Sequence, residues 1–410
     1  GMDSTKPLAV KQFVDALRSH CQALSKENLI NAVVGLGLEA RPYQRQEYLE
    51  RIAELTSSTA PEERAEPLLA RCTALVRQIH ARWVKIYDGT WWDEPDVGVE
   101  YDDEMPPTLT QDQEEDLLAL FTEADALFLE ARYTDAERIY SELLPLFSPD
   151  EYDMFVTAIE GEFDLRESRA RHARCAYETA SPDHRVDRVL EALDSNERWH
   201  GSWEVPDQLF PTLADVANAA PAEPVGFDSF VEATKRSLRE SARDGYRDEA
   251  LYLEAVHTTA GEEGLRAVVD DWSGAHPRAY LEWMKALHAE QMWTDLVAAA
   301  RAALAEVPGD SPNHRQTRRI AAKMLANAGD VVNDPSLALE GRRTWFKLQP
   351  SDATLAELLR CATPLGRRQE ELAAAIAVLE RSRSVLHVEA LLIAGHLGET
   401  FSLLDECRSL

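Results

Sequence analysis

The chain has 410 residues, 45% of them hydrophobic, and 43 Lys and Arg stand against 73 Asp and Glu for a formal net charge of −30. That apolar content is enough to bury a core and excludes a wholly disordered chain, while the acidic balance argues against nucleic acid and anionic membranes, which both need basic protein surface. No apolar run approaches the ~20 residues of a membrane span, no charged-then-apolar leader opens the chain, and Cys21, Cys72, Cys175, Cys361 and Cys407 are scattered without a CxxC pair; reduced thiols in a cytoplasmic protein are expected.

Apolar residues recur at three and four almost throughout, which is the helical period. Residues 8–24 place Val10, Phe13, Val14, Leu17, Cys21 and Leu24 on one face. Ser25 offers an N-cap for the next helix, which should stop near Gly35 or Gly37. The "GLGLEA" there matches GxGxxA on paper, but a dinucleotide site needs a strand before it. Helices are expected over 43–56 and 61–87. Residues 88–110, "DGTWWDEPDVGVEYDDEMPPTLT", have no sustained period and read as a long acidic loop. Between Lys85 and Arg132 there are fifteen acids and no Lys or Arg, which is half of the net charge. Helices resume at 112–131, 133–146, 149–162, 163–179 and 183–194. A Pro-rich stretch, 199–226, follows, and helical segments then run to Leu410.

One stretch carries a family likeness. "EARYTDAERIYSELL" follows a helix with Leu117, Leu120, Ala124, Leu127 and Phe128, and has its own stripe at Tyr133, Ala136, Tyr140 and Leu143. The pair resembles a tetratricopeptide repeat. Ala136 takes that family's small-residue position, and Tyr133 and Tyr140 its aromatic ones. Glu123 departs from the usual apolar residue, and Pro149 stands one residue beyond the closing proline. "EQMWTDLVAAARAALAEVP" is the best echo, with Trp293 and Leu296 continuing the pattern and Pro308 closing it twelve residues after Leu296. The same step joins Leu265 to Pro277 and Ala338 to Pro350. The resemblance implies an all-α fold, an α-solenoid or right-handed superhelix of antiparallel helix pairs behind an N-terminal helical region. It also implies a place for a Lys/Asn carboxylate clamp. Leu118 and Phe121, Arg247 and Ala250, Arg278 and Leu281, and Ile320 and Lys323 stand there instead, so binding of chaperone tails is not expected.

No HExxH, GxSxG or P-loop pattern occurs. His172 and Cys175 share a helix face, but two such residues do not make a metal site, and His184 beside Asp183 and His200 near Glu197 read the same way. No catalytic, cofactor or metal residue is assigned, and no cofactor is expected. The sharpest surface feature is charge. Trp91, Trp92, Tyr101, Asp102 and Asp103 combine apolar anchors with acids, a pattern suited to a basic partner. Residues 310–383 run the other way, with twelve Lys and Arg against nine Asp and Glu. Arg315, Arg318, Arg319, Arg342 and Arg343 in that stretch are candidate interaction residues.

The expected organisation is an N-terminal helical region (2–88), the acidic loop (89–110), repeat-like hairpins (111–198), a Pro-rich linker (199–226) and a C-terminal helical-repeat region (227–410). The expected function is a non-catalytic protein- or peptide-binding scaffold, an adaptor whose partner is protein, and basic rather than acidic. An enzyme with its site between the helical halves and a regulator that contacts nucleic acid through 310–383 are the alternatives.

Overall fold

The structure, a computed structural model, describes residues 16–17, 20–21, 24–39, 62–90, 108–147, 164–193, 210–244, 246–380, 384–398 and 400. Among these residues there is no strand. The helices are α1 (Lys26–Glu39), α2 (Glu62–Tyr87), α3 (Gln111–Leu129), α4 (Tyr133–Leu143), α5 (Leu165–Thr179), α6 (Arg185–Leu193), α7 (Leu213–Asn218), α8 (Phe227–Leu238), α9 (Tyr246–Trp272), α10 (Pro277–Ala289), α11 (Trp293–Glu306), α12 (Pro312–Val331), α13 (Pro335–Leu348), α14 (Asp352–Ala362), α15 (Arg368–Leu379) and α16 (Val385–Ala394). The chain divides into two compact units at 233/234, within α8.

The helical period therefore reported the all-α class correctly. Ser25 caps α1 as expected, its Oγ accepting from the Asn28 N–H at 3.2 Å. The expected end of α1 is corrected. The helix runs through Gly35 and Gly37 to Glu39, because both glycines hold helical rather than left-handed backbone. Residues 43–56, 91–107 and 149–162 lie outside the described residues.

In the first unit, α2 buries Leu68, Cys72, Leu75, Ile79 and Trp83 along one stripe. Trp83 also donates its indole N–H to the Thr108 carbonyl at 3.1 Å, which satisfies the one polar atom of that ring. Helices α3 and α4 meet at Ala124 and Ala136, both fully buried. Around that contact the core is aromatic, with the Phe121 ring 5.8 Å from Phe147 and 6.4 Å from Tyr140.

A polar network lies on the α5 side. Tyr140 donates its hydroxyl proton to Asp125, whose other oxygen accepts from Arg171 at 2.5 Å. Arg174 is fully buried and donates to the carbonyls of Ala217 (3.0 Å) and Ala222 (2.7 Å), with Glu178 at 2.8 Å to balance its charge. Tyr177 donates to the Val225 carbonyl at 2.7 Å. Residues 210–226, within the stretch read as a linker, thus include a helix and are fastened to α5.

The second unit is built from helix pairs. Helix α9 is broken at Gly261, where φ is +60° and ψ −154°, a region essentially restricted to glycine. Residues 246–260 and 262–272 accordingly form two arms. The pairs α10/α11, α12/α13 and α14/α15 follow. Where α12 meets α13 the backbones nearly touch: a Cβ on Gly341 would stand 2.3 Å from the Ala326 nitrogen, and one on Gly329 2.3 Å from the Ala338 nitrogen. The prolines found by spacing sit at the expected junctions. Leu265, Leu296 and Ala338 are all buried, while Pro277 opens α10 and Pro308 and Pro350 follow α11 and α13.

One connection recurs. After α3, α10, α12 and α14 a residue takes left-handed backbone: Ala131 (φ +60°), Gln291 (+58°), Asn333 (+55°) and Gly366 (+69°). In each case the next N–H reaches back five residues. Arg132 donates to Leu127, Met292 to Leu287, Asp334 to Gly329 and Arg367 to Ala362, all at 2.8–3.0 Å. This is the Schellman closure, which satisfies the carbonyls a helix leaves open at its C-terminus. Gly395, after α16, repeats it with His396 donating to Leu391. The packing is consistent with a helical repeat, and the turn is its most regular part.

Candidate interaction surface

The basic stretch separates into two groups of arginines with different surroundings. Arg342 and Arg343 lie on α13, and both are bound. Arg342 holds Asp330 with two nitrogens, at 3.0 and 2.6 Å, and lies 3.5 Å from Glu357. It therefore ties α12, α13 and α14 together. The hydrogen bond to Asp330 raises the guanidinium pKa. Arg343 pairs with both oxygens of Glu371 on α15, one of them at 2.8 Å, and Glu371 is only 1% exposed. A buried carboxylate of this kind needs its cation, because an unpaired charge there would cost several kcal/mol. These two residues are structural fasteners.

Arg315, Arg318 and Arg319 lie on α12 and are different. Ser311 caps α12 by accepting from the His314 N–H at 3.2 Å, and Pro312 fills the first helical position. No acid stands in the first turn. Asp310, just before the helix, is held by His314 at 2.6 Å, and that hydrogen bond keeps its carboxyl below the usual range. Among the described residues, none of the three arginines has an ion-pair partner. Arg315 and Lys323 are exposed, and Arg318 and Arg319 half-buried. Arg315, Arg319 and Lys323 follow one another at i, i+4 and i+8, so they line one edge of the helix. Arg318 sits one step inward. Its Nε–H is shielded from solvent and meets no acceptor, and its Nη1 lies 3.0 Å from where a Cβ on Gly309 would be. The Lys323 ammonium stands 5.7 Å from the ring of half-buried Trp345.

A surface cleft of about 380 Å³ opens nearby in the same unit, lined by Gly329, Asp330, Asn333, Arg342, Arg360 and Cys361. The Cys361 Sγ is 3.7 Å from Arg342 Nη1. Arg360 is engaged by Glu357 at 2.5 and 2.6 Å, so the cleft holds no cation without a carboxylate beside it.

Trp91, Trp92, Tyr101, Asp102 and Asp103 lie outside the described residues. The repeat-defining residues are all placed. Ala136, Tyr140 and Leu296 are buried, Tyr133 packs edge-on against Phe128 at 5.6 Å, and Trp293 edge-on against His288 at 5.4 Å. His172 and Cys175 do not converge on a common point. His172 shares a hydrogen bond with Ser141 at 3.1 Å, and burial lowers its pKa to about 4, whereas burial raises the Cys175 thiol. Among the described residues no group of three or more His, Cys, Asp or Glu could hold a metal ion.

Two sites escaped the sequence reading. One is Trp345, whose closeness to Lys323 follows from the α12/α13 register set by Gly329 and Gly341. The other is Glu249 on α9, 4% exposed, which faces His276 at 3.6 Å and is raised by burial to about 7. No periodicity distinguishes that glutamate from its exposed neighbours. No protein-family model matches this chain, and no curated protein matches it.

Proposed function

We propose that this chain is a non-catalytic protein- or peptide-binding scaffold, an α-solenoid of degenerate tetratricopeptide-like helix pairs that acts as an adaptor. The observation that supports the reading is the succession of helix pairs α10/α11, α12/α13 and α14/α15, each joined by the same Schellman turn, at Gln291, Asn333 and Gly366. A connection reproduced inside three successive pairs with little shared sequence is what a worn array of helix pairs retains. Such arrays offer extended surfaces rather than enclosed chambers. Among the described residues no helix is long and apolar enough to cross a membrane. With a net charge of −30, the far field of the protein favours encounter with a basic protein surface. The fifteen acids between Lys85 and Arg132 are the natural receptor for it.

The test is affinity capture from cell extract by the full-length protein at 100 mM salt. The expected outcome is a protein retained in fixed ratio and released as salt rises. Retention of no protein in fixed ratio would count against the scaffold reading.

A further inference from the structure

One stretch of α12 gathers several cations without ion pairs among the described residues. Acids outnumber bases in this chain, 73 to 43, so an arginine on its surface readily finds a carboxylate. Arg243, Arg266, Arg301, Arg342, Arg343, Arg360 and Arg367 in the second unit do, whereas Arg239 and Arg368 stand apart from one another without an ion pair among the described residues. Arg315, Arg318 and Arg319 have none either, among the described residues. Arg315 also stands in the first turn of α12, where the positive end of the helix dipole disfavours cations and favours anions. The Arg318 Nε–H, shielded without an acceptor, adds to that cost. Three local choices thus oppose folding stability at one place, and such conflicts concentrate where a surface has a task.

We propose that the edge of α12 formed by Arg315, Arg319 and Lys323, with Arg318 behind it and Trp345 at its end, docks an acidic protein segment in extended conformation. The spacing identifies the occupant. Cations at i, i+4 and i+8 recur every ~6 Å along a helix. Alternate residues of an extended strand recur every ~6.6–6.8 Å on one face. A segment with Asp or Glu at alternate positions therefore matches the stripe charge for charge over its three cations. Arg319 offers a carboxylate the paired donors of a guanidinium, and Trp345 beside Lys323 supplies apolar contact for a side chain at the end of the segment. The whole-molecule charge selects against a long polyanion. A nucleic acid duplex would bring a dense row of phosphates into the field of the whole acidic chain, whereas a short acidic segment brings only a few charges, within a Debye length of ~8 Å.

The inference rests on the scaffold reading for the existence of a protein partner. It is tested by fluorescence anisotropy with the full-length protein at 50 mM salt, using labelled decaglutamate, labelled decalysine and a labelled 20-base-pair DNA duplex. Decaglutamate is expected to bind saturably and to weaken as salt rises. The variant Arg315→Glu/Arg319→Glu/Lys323→Glu is expected to weaken it at least tenfold. The neutral variant Arg315→Gln/Arg319→Gln/Lys323→Gln, milder for folding, is expected to give an intermediate loss. Arg239→Glu/Arg266→Glu, on exposed positions of the same unit, should stay within twofold of the parent. Absence of saturable decaglutamate binding, an equal loss in the Arg239/Arg266 control, or tighter binding of the duplex overturns the proposal. Binding of decalysine alone overturns it while leaving the scaffold reading in place.

Discussion

The two units solve the problem of packing helix on helix in opposite ways. In the first, α5 is held by large and polar groups: Tyr140 on Asp125, Arg171 between Asp125 and Glu167, and Arg174 on two backbone carbonyls. In the second, the α12/α13 contact is made by absence of side chain, with Gly329 and Gly341 against the backbone of the opposite helix. A polar network tolerates a change of volume but not the loss of a partner. A glycine contact tolerates neither a methyl group nor anything larger. The difference teaches where each unit is brittle.

That contrast can be broken experimentally, and the largest effect should come from Gly341→Val. Its Cβ would meet Ala326 backbone at 2.3 Å, and backbone cannot step aside as a flexible side chain can. A loss of about 3 kcal/mol or more is expected from urea unfolding. A loss below ~1 kcal/mol would show that α12 and α13 separate without penalty.

In the first unit the matching test is Arg174→Met, which keeps an unbranched apolar stem and removes the donors. The freed carbonyls of Ala217 and Ala222 have no replacement, and a loss of about 2–3 kcal/mol is expected. It should be accompanied by faster amide exchange across 210–226, and unchanged exchange there would refute the fastening role.

The units should also respond oppositely to pH. His172 is depressed from 6.5 to about 4, so between those values the unfolded chain binds more protons, and the first unit gains stability as pH rises towards 6.5. Glu249 is raised from 4.5 to about 7. Its contribution is fully present below pH 4.5 and is lost as pH rises through 7, so the second unit weakens over that range. His276 is lowered by burial and opposes part of that loss. Shifts of this size correspond to about 3 kcal/mol. Amide exchange at pH 5 and pH 7.5, corrected for intrinsic rates, reads the units separately. Glu249→Gln should flatten the second unit's response and leave the first unit's unchanged; a parallel change in both units would contradict the assignment.

The smallest effect is expected at the turn. Ala131 pays for its left-handed backbone, so Ala131→Gly should stabilise the first unit by roughly 0.5 kcal/mol, the steric relief being partly offset by the entropy of glycine. A loss in thermal melting would mean that the alanine methyl packs favourably.

Much of this was legible beforehand. The period of three and four found α2 through α6 within a few residues, because amphipathic stripes such as Leu68, Cys72, Leu75 and Ile79 are local facts. The first hairpin and its echo at Trp293 were legible because aromatic and small residues mark a helix crossing. The turn at Asn333 and the break at Gly261 were not. "VND" shares no letter with "EAR" or "EQM", since any residue that tolerates left-handed backbone closes the same turn, and Gly261 lies in a stretch whose apolar pattern continues on both sides.

The arginines mark the limit most clearly. The order of residues alone established that the chain is acidic, helical in period and basic over 310–383. Which of those cations remained available was decided only in three dimensions. Arg343 meets Glu371 across 28 residues, and Arg342 meets Asp330 twelve residues before it, through the helix crossing. Arg315 and Arg319 have the same guanidinium chemistry. They differ because, among the described residues, no carboxylate pairs with them at the edge of α12, and charge pairing depends on distance through space rather than along the chain.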